Sequence, residues 1–169
     1  MPTHVITGAG SGIGAAVTRR LLERGDETVL LARDAGRAKE LVELHPGART
    51  LVGDLSNPDR LSWAFAQQAM PDRVDSLLHV AGVVELGKVG DLTPKAWHFQ
   101  LNANLVAPAE LTRLFLPQLR VAQGHVLFVN SGAGLGGAPP RGARPPPPPP
   151  PPQPAPPPPG VKTHTHPPP

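Results

Sequence analysis

With 169 residues, 39% of them hydrophobic and 4% aromatic, the chain is long enough for one domain with a modest core, and its apolar runs are too short to cross a membrane. Its 16 basic residues exceed its 13 acidic ones only because of three cations beyond residue 138, so the basic pI does not point to a nucleic-acid groove. The lack of cysteine excludes disulfides, thiolate metal sites and a cysteine nucleophile, and without a signal-peptide pattern we expect a soluble cytoplasmic protein.

Five short apolar segments alternate with helical patterns along the first part of the chain. Each segment is almost continuously apolar, which is typical of a parallel strand buried on both faces. The order βαβαβαβαβ therefore predicts an α/β fold with a parallel sheet flanked by helices. The five predicted strands are HVIT (residues 4–7), TVLLA (28–32), RTLV (49–52), SLLHV (76–80) and HVLFVN (125–130).

Helices are predicted where apolar residues recur every three or four positions. Glycines precede the first helix, and Pro58 suits the first turn of the helix after the third strand. A longer helix is predicted from about Pro94 to Leu119. Trp63 and Trp97 fall within these patterns and are predicted to pack in the interior. The apolar positions are Ile13, Val17 and Leu21 in the first helix, Leu61, Phe65 and Ala69 after the third strand, and Leu111, Leu114, Phe115 and Leu119 in the long helix.

The composition changes abruptly near residue 138. Seven of the 25 prolines precede that residue, and the other 18 follow it. The last segment has no periodicity and no apolar face, so we predict a folded domain over residues 1–137 and a disordered proline-rich tail over residues 138–169. His164 and His166 lie in the tail without acidic or cysteine neighbours, and we therefore predict no metal site.

The sequence VITGAGSGIGAAV places glycines between the first strand and the first helix. A side chain there would keep the backbone from approaching a pyrophosphate, whose charge the amide N–H groups of a helix N-terminus can hold. The pattern Thr7-Gly8-x-x-x-Gly12-x-Gly14 indicates a nucleotide-binding turn, and a tight turn without a ligand is the alternative.

The same spacing resembles the glycine motif of the short-chain dehydrogenase/reductase family, and further motifs follow in the family's order. GDLSN resembles the segment whose aspartate, here Asp54, lies near the adenine ring. HVAG (79–82) resembles Asn-Asn-Ala-Gly with both asparagines replaced. NANL matches the helix that carries the family's asparagine, at Asn104 rather than Asn102, and VNSGAG places Ser131 at the catalytic serine.

The resemblance covers residues 3–137 and implies a Rossmann-type doubly wound parallel sheet, which is incomplete here with about five strands. It implies an oxidoreductase that transfers hydride between a nicotinamide dinucleotide and a carbonyl or alcohol group of a small substrate. The residues that it places at the cofactor are Thr7, Gly8, Ser11, Gly12, Ile13, Gly14, Arg33, Asp54, Leu55, Ala81 and Gly82.

Arg33 and Asp34 follow the second strand, where the two nicotinamide cofactors are distinguished. A carboxylate there would bind the ribose 2′-hydroxyl of NAD, and an arginine would pair with the 2′-phosphate of NADP. In the family a basic residue at the position of Arg33 accompanies NADP, so NADP(H) is favoured over NAD(H). The alternative is that Arg33 is a solvated loop cation without a ligand.

The resemblance implies a partial catalytic set, Ser131 and Asn104. In the family the serine orients the substrate oxygen, a tyrosine is the general acid and base, and a lysine lowers the pKa of that tyrosine. The corresponding positions hold Arg144 and Pro148, and the sequence contains no tyrosine. We therefore predict that this chain has no dehydrogenase turnover.

Pro108 lies within the long helical pattern and cannot donate the backbone hydrogen bond that would end at the carbonyl group of Asn104. One hypothesis is that this carbonyl accepts a hydrogen bond from water, as in the family's proton relay. The alternative is that Pro108 merely kinks a surface helix.

The family's strand order, 3-2-1-4-5-6-7, makes HVLFVN an exposed apolar edge here and bares the long helix. We therefore predict poor solubility or a partly molten state, and loss of the family's homo-oligomer surface. The tail has two explanations, a frameshift in a GC-rich gene or a genuine fusion. The alternative function is a non-catalytic nucleotide-binding or interaction protein whose polyproline arm binds SH3- or profilin-like partners. The substrate stays unassigned, because the family's substrate loop lies beyond the matched segment.

Overall fold

A computed structural model of the chain describes residues 1–88 and 90–132. Its strands are β1 (Thr3–Thr7), β2 (Glu27–Ala32), β3 (Arg49–Val52), β4 (Ser76–His79) and β5 (His125–Phe128). They form one parallel sheet in the order β3-β2-β1-β4-β5. The chain builds outward from β1 to β3 and then returns to the other side of β1. The predicted fold class, a Rossmann-type doubly wound sheet of five strands, is confirmed.

Some predictions concern residues outside the described ranges and stay predictions. They are the domain boundary at residue 137, the proline-rich tail (138–169), the occurrence of Arg144 and Pro148 at the positions of the family's tyrosine and lysine, and the solvated histidines of the tail.

The helices are α1 (Gly12–Glu23), α2 (Ala35–Leu44), α3 (Leu61–Ala66), α4 (Pro94–Leu101) and α5 (Ala107–Ala122). A 3₁₀ turn at Pro58–Arg60 leads into α3, which ends before the predicted Ala69. A π-helical turn, Asn102–Val106, joins α4 to α5, so the long predicted helix exists but is not a regular α-helix throughout. The irregular turn lies directly before Pro108.

Helices cover the two faces of the sheet. On one face α5 buries Leu111, Phe115 and Leu119 in a cluster with Leu77 of β4, and the ring centroid of Phe65 lies 5.7 Å from that of Phe115. The predicted apolar stripe of the long helix is confirmed. On the other face a second cluster joins β1 and β2 to α2; its largest members are Ile6, Leu30 and Leu41. Burial on both faces explains why the strands are almost uniformly apolar.

Three side chains lie elsewhere than predicted. Ile13 is 58% exposed, because α1 buries Gly14 and Thr18 instead. Trp63 is 70% exposed and Trp97 is 45% exposed, so the prediction that both pack in the interior is wrong. The reason is that α3 and α4 each turn a different set of side chains toward the sheet.

A side chain completes the β3 edge of the sheet. The amide of Gln68 accepts a hydrogen bond from the N–H of Val52 at 2.7 Å and donates one to the carbonyl oxygen of Val52 at 2.8 Å. It also donates to the carbonyl oxygen of Ala64 at 2.8 Å. Gln68 therefore supplies the hydrogen bonds that a neighbouring strand would otherwise make.

The opposite edge is β5, which within the described residues pairs with β4 alone. Leu127 is 49% exposed and Phe128 is 57% exposed. This apolar edge has the character that the sequence predicts for HVLFVN.

Candidate functional site

A cleft of about 860 Å³ opens at the carboxyl ends of the strands. In a doubly wound sheet this is the edge where ligands bind, because the loops after adjacent strands diverge there. Its walls come from the loops after all five strands and from α4 and the π-helical turn. The residues that line it are Gly8 to Gly14, Leu31, Arg33, Asp34, Gly36, Arg37, Glu40, Leu41, Gly53 to Ser56, Val80 to Val83, Phe99, Ala103 and Val129.

The glycine loop forms the floor of the cleft between β1 and α1. Gly8 has φ +75° and Gly12 has φ +52°, which is the left-handed region that favours glycine. A Cβ on Gly8 would lie 2.7 Å from the backbone nitrogen of Ala81, and one on Gly14 would collide with the carbonyl oxygen of Gly8. The side chain of Ser11 does not cap α1, so the first amides of the helix point toward the cleft without that competitor.

Thr7 lies beneath the loop and does not line the cleft. Its hydroxyl oxygen accepts hydrogen bonds from the N–H groups of Val80 and Ala81, each at 3.0 Å, and the side chain is buried. The structure therefore places Thr7 as a support for the segment after β4, whereas the other predicted cofactor residues lie at the cleft surface.

Two arginines and two carboxylates lie where β2 gives way to α2. Arg33 donates from Nε to Asp34 at 3.0 Å, and the other oxygen of Asp34 accepts the N–H of Arg37 at 2.8 Å and caps the helix. The N–H of Arg37 and the guanidinium of Arg33 hold the pKa of Asp34 below its usual range. Arg37 also pairs with Glu40, and its guanidinium lies against Gly10 so closely that a Cβ there would collide with it.

Arg37 and Glu40 are not among the residues that the sequence pattern predicts for the site. The signal was available, because Asp34 stands at a helix N-cap and Arg37 follows it in the first turn of α2. The first turn of α2 thus places a second cation, Arg37, in the same cleft as the predicted Arg33.

The segment after β3 is stabilised by hydrogen bonds between its own residues. Asp54 accepts hydrogen bonds from the N–H of Ser56 at 2.9 Å and from its hydroxyl at 2.8 Å. The amide of Asn102 donates to the carbonyl oxygen of Ser56 at 3.1 Å. Asp54 and Leu55 both line the cleft, as their predicted role requires.

Asn104 faces a different segment from Asn102, although the two are close in sequence. Its amide accepts a hydrogen bond from the N–H of Val83 at 2.9 Å and donates one to the carbonyl oxygen of Val83 at 2.7 Å. The side chain therefore ties the π-helical turn to the segment that follows Gly82. The hypothesis about the Asn104 carbonyl group stays a prediction.

Ser131 lies three residues beyond the end of β5, and its N–H donates to the side chain of Asn130 at 2.8 Å. It is exposed, and neither it nor Asn104 belongs to the residues that line the cleft. The two members of the predicted catalytic set are thus both described, but the structure does not bring them into one cavity.

The structure matches a known family. A family model of the short chain dehydrogenases covers residues 2–143, which is more than half of the chain. The chain belongs to the short chain dehydrogenase family. Members of this family are oxidoreductases that bind a nicotinamide cofactor.

Several individual proteins are similar to this chain in sequence or structure. The short chain dehydrogenase ausX from Emericella nidulans is 32% identical over 138 residues, covering 79% of this chain and 69% of that protein. A metagenomic short-chain oxidoreductase in complex with NADP has a TM-score of 0.65 at 35% identity, covering 79% of this chain and 62% of that one. A 4-hydroxyisoleucine dehydrogenase complexed with NADH has a TM-score of 0.68 at 26% identity, covering 82% and 60%. The chain spans about half the length of other curated relatives, such as 52% of ausX from Penicillium brasilianum.

His79 stands in this short chain dehydrogenase where the family's motif has an asparagine. Its Nε2 lies 3.0 Å from the hydroxyl oxygen of Thr112, and that hydroxyl donates to the carbonyl oxygen of Pro108 at 2.8 Å. Because a hydroxyl has one proton, Nε2 is the protonated nitrogen and donates to Thr112. Nδ1 is then a bare acceptor, buried and without a hydrogen-bond partner among the described residues.

Across residues 1–88 and 90–132 of this short chain dehydrogenase, no three histidine, aspartate or glutamate side chains are grouped as a metal ion would require. No helix in the same ranges is long and apolar enough to span a bilayer.

Proposed function

We propose that this short chain dehydrogenase binds NADP(H) in the cleft and does not turn it over. The observation that carries the proposal is the packing of the glycine loop on Ala81, which leaves backbone, rather than side chains, to face a bound pyrophosphate. Gly8 to Gly14 would hold the pyrophosphate, and Asp54 and Leu55 would lie beside the adenine.

The preference for NADP(H) over NAD(H) is supported by two guanidinium groups at the end of β2. Arg33 and Arg37 both line the cleft, and a 2′-phosphate would form charge-assisted hydrogen bonds with them. Asp34 is engaged by both arginines, so it is poorly placed to accept a ribose hydroxyl. The alternative, a solvated Arg33 without a ligand, predicts equal affinity for the two cofactors.

A bound nicotinamide would supply or accept hydride at its ring carbon, and the substrate of an intact relative would be a small carbonyl or alcohol compound. In this chain Ser131 would orient the substrate oxygen, and Asn104 would position the segment after Gly82. The proton transfer has no donor of the family's type, because the sequence contains no tyrosine. Binding without turnover follows from this partial set.

The test is a titration of the full chain with NADPH and with NADH, followed by nicotinamide fluorescence. We expect tighter binding of NADPH, and at least fivefold weaker NADPH binding in Arg33→Gln and in Arg37→Gln. Arg19→Gln is the control, since Arg19 is exposed on α1 and does not line the cleft. Equal affinities for both cofactors would refute the NADP preference, and oxidation of NADPH with a panel of aldehydes and ketones would refute the lack of turnover.

The run of eight prolines at residues 145–152 favours a second candidate, an interaction protein. Such a run is a ligand for SH3-like or profilin-like domains. Binding of a purified profilin that is lost when these prolines are replaced by alternating glycine and serine would support it. Unchanged binding of that variant would reject it.

A further inference from the structure

The charged side chains at the end of β2 form a balanced set of two cations and two anions. Arg33, Asp34, Arg37 and Glu40 all line the same cleft. Each arginine is paired with a carboxylate, Arg33 with Asp34 at 3.0 Å and Arg37 with Glu40 at 2.5 Å. An incoming phosphate dianion therefore meets guanidinium groups that already have counter-ions.

The two carboxylates are not equivalent. Asp34 caps α2 by accepting the N–H of Arg37, so its position is determined by the helix. Glu40 lies in the second turn of α2, and its side chain is 62% exposed. Among the hydrogen bonds of the described residues it makes one, to Arg37. Glu40 can therefore move away from Arg37 without disturbing the helix, whereas Asp34 is held in place by the helix cap.

Arg37 is held at the glycine loop by this pair. One nitrogen of its guanidinium bonds to Glu40, and the other lies against Gly10, which provides the space because it has no side chain. The planar group thus lies between the carboxylate and the loop that would carry the pyrophosphate. Glu40 occupies one N–H group of this guanidinium and partly neutralises its charge, so a phosphate at the ribose would have to compete with Glu40 for Arg37.

We propose that Glu40 is a specificity-determining residue, a counter-ion that competes with the 2′-phosphate of NADP(H) for Arg37 and so limits the discrimination between NADP(H) and NAD(H). This inference rests on the proposed function. Its effect is larger for the phosphorylated cofactor, because NAD(H) lacks the 2′-phosphate that would pair with Arg37.

The expected size follows from the exposure of the pair. Both side chains are substantially exposed, 41% for Arg37 and 62% for Glu40. Such an ion pair is weak. Removing Glu40 eliminates both its pairing with Arg37 and its repulsion of the phosphate, so we expect the affinity for NADPH to rise about three- to tenfold. The gain shrinks as salt concentration rises.

The experiment measures dissociation constants of NADPH and NADH by fluorescence titration for the full chain and its Glu40→Gln variant at low ionic strength. We expect NADPH binding to become at least threefold tighter and NADH binding to change less than NADPH binding. Glu43→Gln is the matched control, because Glu43 is an exposed carboxylate of the same helix that does not line the cleft. Unchanged NADPH affinity in Glu40→Gln would overturn the inference, and weaker NADPH binding would show instead that Glu40 orients Arg37.

A double-mutant cycle separates this inference from the proposal on which it rests. If Glu40 acts mainly through Arg37, Glu40→Gln has a much smaller effect in the Arg37→Gln background, where only its direct repulsion of the phosphate remains. An effect of undiminished size there would overturn the proposed route. If the wild-type protein prefers NADPH and Glu40→Gln binds NADPH with unchanged affinity, only the role of Glu40 is refuted. If the wild-type protein binds neither cofactor, both proposals are refuted.

Discussion

The imidazole of His79 stacks on the phenyl ring of Phe128, with ring centroids 4.7 Å apart and planes 18° from parallel. The two residues are partners in the pairing of β4 with β5. Phe128 is 57% exposed, whereas His79 is buried. The histidine thus links the edge strand to the sheet and, through Thr112, to α5.

We expect this histidine to make the protein sensitive to acid. Burial lowers the pKa of His79 to about 4, whereas an unfolded histidine titrates near 6.5. Protons therefore bind the unfolded chain first, and the stability that is complete above pH ~6.5 is lost as the pH falls toward ~4, by about 2–3 kcal/mol. Urea unfolding at several pH values between 7 and 4 measures this loss.

His79→Asn removes the titrating group, so its free energy of unfolding is expected to change less over this pH range. His98→Asn is the control, since His98 is exposed on α4. Carboxylates with lowered pKa values, such as Asp75 and Glu110, begin to lose their contribution below about pH 5, and they do so equally in His79→Asn and in the wild type. A pH dependence that is the same in His79→Asn and in the wild type would contradict the assignment to His79.

The hydroxyl of Thr7 is expected to support the cleft. Thr7→Val keeps the shape but leaves the N–H groups of Val80 and Ala81 without their acceptor, which costs about 2–3 kcal/mol of unfolding free energy and weakens NADPH binding. Thr7→Ser retains the oxygen and should lose less than half as much. Chemical denaturation and NADPH titration check this, and equal stability of Thr7→Val and Thr7→Ser would show that the hydroxyl is dispensable.

Gln68 is expected to stabilise the β3 edge. Gln68→Ala removes both hydrogen bonds to Val52 and the one to Ala64, so we expect a loss of about 2 kcal/mol and faster hydrogen exchange at the Val52 amide. The neighbouring Gln67 is exposed, and Gln67→Ala should change the stability by less than about 0.5 kcal/mol. Similar losses of stability in the two variants would argue against a stabilising role of the Gln68 hydrogen bonds.

The β5 edge is expected to promote self-association. Leu127 is 49% exposed on that strand, and Leu127→Lys places a charge where a second sheet edge would pair. Light scattering at 37 °C should fall by at least half. Val42→Lys introduces the same charge at a 40% exposed residue of α2 and should have little effect. Aggregation that responds equally to both substitutions would indicate a general effect of net charge.

Much of the fold could be predicted because its signals are local. The strands that the sequence predicts at residues 49–52 and 76–80 agree with β3 and β4 to within one residue. The glycine spacing indicated the site for the same reason, since Gly8 and Gly14 are needed where β1 turns into α1. The family follows from these motifs in order.

Other features were not predictable, because they depend on which surfaces meet. α4 carries apolar residues on several sides, so the sequence pattern does not show which side the sheet covers or that Trp97 lies outside. In α3, by contrast, Leu61 and Phe65 are buried as the spacing predicted, and Trp63 lies off that stripe.

The sequence by itself determined the strands and the glycine turn, because each depends on residues that are neighbours in the chain, and its composition shows that no tyrosine is present. Only the tertiary structure decided that Arg37 lies on Gly10, that Asn104 holds Val83, and that Nδ1 of the buried His79 has no hydrogen-bond partner among the described residues. These contacts join separate loops and helices, and their geometry arises only when helices pack on the two faces of the sheet.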